Sequence, residues 1–259
     1  MSDRNQEDQS GSESDKGAVS SQDSPDYKPY AGIGSRETPK TICKMMELIA
    51  FGLGRQGFTC RTGGADGADR AFLKGSKEAF FRRGSARPEL FLPWPGFNGQ
   101  HSSFSIPPTA AHVIARQHHP GYDRMTQAVQ KLMARNAQQV QGRDLKCNSK
   151  FVICWTPDGC IDSETRTKKT GGTGQAIGHA ASLGIPVFNL AREEHYNQFL
   201  EYLKSQKLNW TMTFAEAHAD LTPCEPSEAT KKKQARKEAG MTTRHPKYLP
   251  AEDNPAIPK

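Results

Sequence analysis

This chain has no C-x-x-C pair, no apolar run near the ~18 residues that span a bilayer, and few aromatic residues, at 8%. The first absence excludes a zinc ribbon or a dithiol redox motif. The second excludes a helical membrane anchor and leaves no membrane partner to expect. The N-terminus is polar and acidic and gives no signal-peptide pattern. The expectation is therefore a cytoplasmic protein (of the host cytoplasm, if the source is viral), with Cys43, Cys60, Cys147, Cys154, Cys160 and Cys224 as reduced thiols. Cys60 and Cys154 fall inside strand-like runs, where a free cysteine acts as a small buried hydrophobe. Metal-ligand spacing is missing as well. His101, His112, His118 and His119 cluster in and beside one long loop, with no acid–histidine pattern of a zinc site. Neither a metal nor a resident cofactor is expected.

The ends of the chain differ from its middle. Residues 1–26 hold seven acids, two bases and no aromatic residue, a composition that cannot bury a core and predicts a disordered acidic tail. Residues 223–259 hold eight Lys/Arg against five Asp/Glu and read as a flexible basic tail. Its Lys231-Lys232-Lys233-Gln234-Ala235-Arg236-Lys237 run suits nonspecific contact with nucleic-acid phosphates, or simply solubility. Residues 27–222 remain, a comfortable single-domain length. Removing the ends (−5 and +3) from the formal +7 leaves +9 on this core, which favours phosphorylated small molecules or polyanions. No zinc-finger, recognition-helix or RNA-binding signature accompanies that charge. The sequence sets no oligomeric state and leaves a homo-oligomer open.

Within the core, apolar runs alternate with helical periodicity. Strands are expected at Tyr30–Gly34, Phe58–Arg61, Glu89–Trp94, Phe151–Trp155 and Ile185–Asn189. Helices are expected over about 39–56, 66–82, 108–116, 122–141, 173–183 and 195–206. Thr38-Pro39 would supply an N-cap and first-turn proline to the first helix. Strands separated by helices imply right-handed crossovers, so the fold class is α/β: a Rossmann-like parallel sheet with helices on both faces.

Two glycine turns then stand out, Arg61-Thr62-Gly63-Gly64-Ala65-Asp66-Gly67-Ala68-Asp69 and Thr170-Gly171-Gly172-Thr173-Gly174-Gln175. Each follows a strand and opens a helix, the arrangement that offers backbone N–H groups and a positive helix end to phosphate. A first turn, Gly32-Ile33-Gly34-Ser35-Arg36, lies at the same sheet edge. Arg36 and Arg61 flank these turns and could fork onto phosphate or pair with nearby acids. Glu37, Asp66 and Asp69 could act on a sugar, or could cap helices and brace turns. Lys168 and Lys169 precede the last turn as a lid or a solvated loop. Trp94, Phe97 and Trp155 could stack on a base or pack at the rim.

The three turns resemble the successive motifs of the SLOG superfamily, Rossmann-like proteins grouped around DNA-processing protein A and the Lonely Guy enzymes. The resemblance covers about residues 30–205 and comes nearest to uncharacterised bacteriophage proteins labelled as recombination-mediator-like. Met133-Ala134-Arg135-Asn136 resembles the Lonely Guy Met-x-x-Arg-Lys element, which makes Arg135 the implied functional arginine, with Asn136 beside it. Thr170 to Gly178 resembles the phosphate motif, with Gln175 in place of threonine and Gly178 in place of the acid. Lonely Guy enzymes remove the base from nucleoside 5′-monophosphates, and the missing carboxylate would have to come from Glu37, Asp66 or Asp69. Three functions stay open: a nucleotide-binding module (preferred), a nucleotide N-glycosidase, and a nucleic-acid protein of the recombination-mediator kind.

Overall fold

The sheet is built around a tyrosine-bearing central strand, and the computed structural model that shows it describes residues 27–239, apart from 83 and 85. The expected acidic tail lies outside these residues. Five strands form: β1 (Lys28–Gly32), β2 (Phe58–Thr62), β3 (Glu89–Leu90), β4 (Val152–Cys154) and β5 (Val187–Asn189). All pair in parallel, in the order β3-β2-β1-β4-β5. This confirms the α/β, Rossmann-like expectation.

Alternation along β1 and β4 divides the core into two layers. Tyr30, Phe151 and Ile153 point into a cluster with Ile42, Met46, Phe72, Tyr196 and Phe199. These residues come from α1 (Lys40–Arg55), α2 (Ala68–Phe81) and α6 (Glu193–Ser205). Ala31, Val152 and Cys154 point the other way, onto Val140, Ala176, Ile177 and Ala180. These belong to α4 (Gln127–Gln141) and α5 (Thr173–Ser182). A helix α3 (Thr109–Gln117) packs on α4 through Ala111, Ala115, Ala134 and Ala137. Short α7 (Phe214–Ala217) follows α6.

Several boundaries differ from expectation for local reasons. β3 ends at Leu90, because the chain bridges to Phe104 at Phe91 and then turns through Pro93 and Pro95. The helix expected over 122–141 is interrupted at Met125-Thr126, both extended, so a single turn at Tyr122–Arg124 precedes α4. Thr38 does not cap α1; its hydroxyl donates to Ser35 O at 2.7 Å and closes the first glycine turn instead.

Of the expected C-terminal tail, residues 223–239 are described, and they run against the domain. Pro39 bridges Pro223, and a final helix α8 (Glu228–Glu238) follows. Cys43 and Cys224 form a disulfide, with Cα atoms 6.8 Å apart, which corrects the expectation of six reduced thiols. The pair is 181 residues apart in sequence, so spacing could not reveal it. Cys60, Cys154 and Cys160 are free and buried. No described helix is long and apolar enough to cross a membrane.

Candidate functional site

In this strand order the connections leaving β1 and β4 diverge to opposite sides, which opens a crevice at the carboxyl ends of these two strands. A cleft of about 810 Å³ occupies that place. Gly34, Ser35, Arg36 and Glu37 enter it from the turn after β1, and Pro157 from the loop after β4. Arg135, Asn136 and Gln139 enter from α4, and Lys168 to Thr173 from the loop that opens α5.

The rim is built by the Lys168–Thr173 segment. Asp158 accepts from the Thr167 hydroxyl at 2.5 Å and from the Thr170 hydroxyl as well. Burial acts to raise the Asp158 pKa, but hydroxyl bonds from Thr167, Thr170 and Thr156 win and hold it down to about 2. The anchored segment turns at Gly171, whose φ of +64° few side chains adopt, and whose missing Cβ would face open space. Gly172 caps α5, and Asn136 Nδ2 donates to its carbonyl at 3.1 Å. The Gly172–Thr173 end of α5, with its positive pole, therefore borders the cleft beside Lys168 and Lys169, while the Gly174 and Gln175 amides donate back to Gly171 O and Gly172 O at 3.3 Å.

The floor is an ion pair. Arg135 Nη1 donates to Asp69 Oδ2 at 2.9 Å and to Gln139 Oε1 at 3.0 Å. Both partners are buried, at 4% and 3% exposure. Burial pushes the Asp69 carboxyl up and the Arg135 guanidinium down, each opposed by attraction to the other. Asp69 Oδ2 also accepts the Ala65 amide at 3.4 Å, so the ion pair braces the second glycine turn. A Cβ on Gly63 would stand 1.1 Å from Arg135 Nη1. That glycine is needed for the guanidinium to reach Asp69.

Ten of the sixteen expected site residues come together here: Glu37, Asp69, Arg135, Gly34, Ser35, Arg36, Gly171, Gly172 and Thr173 line the cleft, and Gly63 sits behind its floor. Six lie elsewhere. Arg61 is fully buried within the sheet, bonded through Nε to Glu89 at 3.0 Å and through Nη1 to Cys147 O at 2.6 Å. Asp66 turns away and accepts the Ser227 amide at 3.1 Å and the Thr230 hydroxyl at 2.5 Å, anchoring the start of α8. Gly32 lies against the Phe72 ring, and Gly64 presents its carbonyl to Gln100 Nε2 at 2.9 Å. Gly174 packs against Arg166, and Gln175 is buried outside the cleft.

Asn136, Lys168 and Lys169, weighed in the sequence, do reach the cleft. Gln139, Met133 and Asp158 were missed. Gln139 had a signal, since it stands four residues after Arg135 and so on the same helix face. Trp94 and Phe97 pack together edge to face, 5.1 Å between centroids, away from the cleft. Among the described residues no cluster could hold a metal ion.

No family model, curated protein or solved structure matches the chain. The cleft itself must therefore carry the functional reading. A second cavity, about 760 Å³ at the β3 edge and lined in part by Phe80 and Phe81, takes no lining residue from the three glycine turns.

Proposed function

We propose that this protein binds a nucleotide or nucleotide-derived ligand, with the phosphate at the opening of α5 and the remainder lying across β1 and β4. The observation that carries the reading is convergence. The Gly172–Thr173 opening of α5, Lys168, Lys169, Arg36 and the buried Arg135 all border one crevice at the point where the strand order reverses. A positive helix end beside basic side chains favours an anion, and a crevice of about 810 Å³ leaves room for more than phosphate alone. The resemblance of the three turns to the SLOG superfamily points the same way, and the chain is read here as a divergent member of it.

A second reading, nucleotide N-glycosidase, rests on Glu37. This carboxylate lines the cleft, is exposed, and has no side-chain hydrogen bond among the described residues. Of the three acids considered, Asp66 faces α8 and Asp69 is held by Arg135, so Glu37 is the group left to stabilise an oxocarbenium sugar. Gly178, where the resemblance expects an acid, faces Ser163.

The test is direct. Purified protein is denatured, and the released small molecules are identified by mass spectrometry. A phosphorylated nucleoside supports the binding function. Free base accumulating from added nucleoside monophosphates, and abolished by Glu37→Gln, would establish the enzyme instead.

A further inference from the structure

Residues 222–239 form a strap that grips the two glycine turns from behind the cleft. At the first turn, the Cys224 amide donates to Thr38 O at 3.1 Å and the Lys40 amide to Thr222 O at 2.9 Å. At the second, Asp66 accepts the Ser227 amide and the Thr230 hydroxyl, and Arg70 donates to Glu225 O at 2.8 Å. The turns also touch each other. The Ala68 amide and the Thr38 hydroxyl both donate to Ser35 O, and a side chain on Gly67 would collide with Ser35 and Arg36. From these turns Ser35, Arg36, Glu37, Ala65 and Asp69 enter the cleft. No residue of the strap is buried, so besides Cys43–Cys224 its ties to the body are mainly hydrogen bonds. Each of these is weak on balance, because water can replace it. The cross-link, which closes a loop of 181 residues, is the strong fastening.

The disulfide is also placed for exchange. Cys224 is half-buried, and both cysteines line a groove of about 420 Å³ between α1 and α2. Lys40, Lys44, Arg70 and Lys74 line the same groove, against two acids, Glu47 and Glu225. Cations beside a sulfur favour the thiolate that leaves during exchange. We propose that Cys43–Cys224 is a redox latch: a dithiol opens it, the strap comes away, and the two glycine turns lose their brace while the sheet stays folded. The sheet can stay because its buried residues all precede the strap. A thiolate of the dithiol attacks Cys224 Sγ, forming a mixed disulfide and releasing the Cys43 thiolate, which takes up a proton. The second thiol of the reductant then attacks the first, and Cys224 leaves and is protonated. Two electrons and the two thiol protons pass to the cysteines, and the reductant departs as a disulfide.

The full chain, native and with or without dithiothreitol, is followed by thiol labelling and by amide hydrogen exchange read in peptides. The dithiol should add two labelled thiols, at Cys43 and Cys224. Exchange in α8 and in residues 35–38 and 64–68 should then quicken about tenfold or more, while β1 and β4 keep their protection. Replacing the dithiol with a small-molecule disulfide should restore both readings. Cys224→Ser should show the reduced pattern with no dithiol present, and should not respond to one. A folded protein that resists reduction overturns the proposal. Exchange in the strap and turns that reduction leaves unchanged overturns it as well. Loss of protection across the whole sheet, in the reduced protein or in Cys224→Ser, also overturns it, since the bond would then be a structural staple. No ligand enters these measurements, so their failure leaves nucleotide binding standing, and the reverse holds too.

Discussion

Arg135 reaches Asp69 through the space that Gly63 leaves empty, and the resulting 2.9 Å ion pair forms the floor of the cleft. Two elements remote in sequence, the turn after β2 and the helix α4, are thereby locked to each other. An added methyl at Gly63 would land on the buried Arg135 guanidinium and crowd Asp69 Oδ2, so the ion pair would have to shift. Gly63→Ala should therefore cost about 1–3 kcal/mol of stability through overpacking. Asp69→Ala should cost more, about 3–5 kcal/mol, because it strands a buried guanidinium. Chemical denaturation of the two variants checks both the loss and the order. A Gly63→Ala protein as stable as wild type would show that the guanidinium sits elsewhere.

Asp158 prepares the rim without lining the cleft. Its hydroxyl partners Thr167 and Thr170 bracket Lys168 and Lys169 and lead into Gly171. Asp158→Ala should loosen this segment, which must then be ordered on binding, and weaken nucleotide affinity about tenfold. The melting temperature should fall too, since Thr170 is buried and the hydrogen bonds that hold the Asp158 pKa down exist only in the fold. Calorimetry beside thermal denaturation separates the two effects. Unchanged affinity would mean that the rim does not hold phosphate.

His179 gives the fold a pH dependence with a definite sign. Burial, with a smaller push from His118, brings its pKa from the usual 6.5 down to about 4. Its Nε2 lies 2.9 Å from Gln141 Oε1, and the His118 ring is 4.9 Å away. The folded pKa is depressed for a base, so protons bind the unfolded chain more readily. Stability is then full above about pH 6.5 and falls as pH drops toward 4. His179→Gln should lose less stability across that interval than wild type does. Parallel curves in a denaturant series would contradict the assignment.

Asp66 holds the beginning of α8 rather than a ligand. Asp66→Ala should leave nucleotide affinity intact while loosening α8, so that trypsin cleaves the Lys231–Lys233 run faster, most clearly once Cys43–Cys224 is reduced. Time courses of limited proteolysis with and without reductant measure this. Equal cleavage rates in variant and wild type would remove the anchoring role.

Much of this was legible in the sequence. Continuous apolar runs such as Phe151–Trp155 and the face made by Ile42, Met45, Met46 and Ile49 mark their elements through burial, which composition records. Glycine turns at strand ends gave the sheet edge that holds the cleft. Direction was not legible. Arg61 and Arg135 look alike in sequence, yet one points along the sheet to Glu89 and the other into the crevice. Asp66 and Asp69 are three residues apart, and the partners that separate their roles, Thr230 and Arg135, lie far along the chain. Such pairings are tertiary, and no local pattern encodes them. Gln139 could have been found from the helical spacing alone.

The most direct test is whether a phosphate-bearing nucleotide binds where the corresponding nucleoside does not. Wild-type protein, shown to be empty, is titrated with a nucleoside 5′-monophosphate and with the matching nucleoside, and the melting temperature is followed. The nucleotide should raise it in proportion to the logarithm of its concentration once in excess, the nucleoside should do so far less, and Lys168→Ala/Lys169→Ala should shrink the difference. No shift with any nucleotide, or equal shifts with nucleotide and nucleoside, would contradict a phosphate site at the opening of α5.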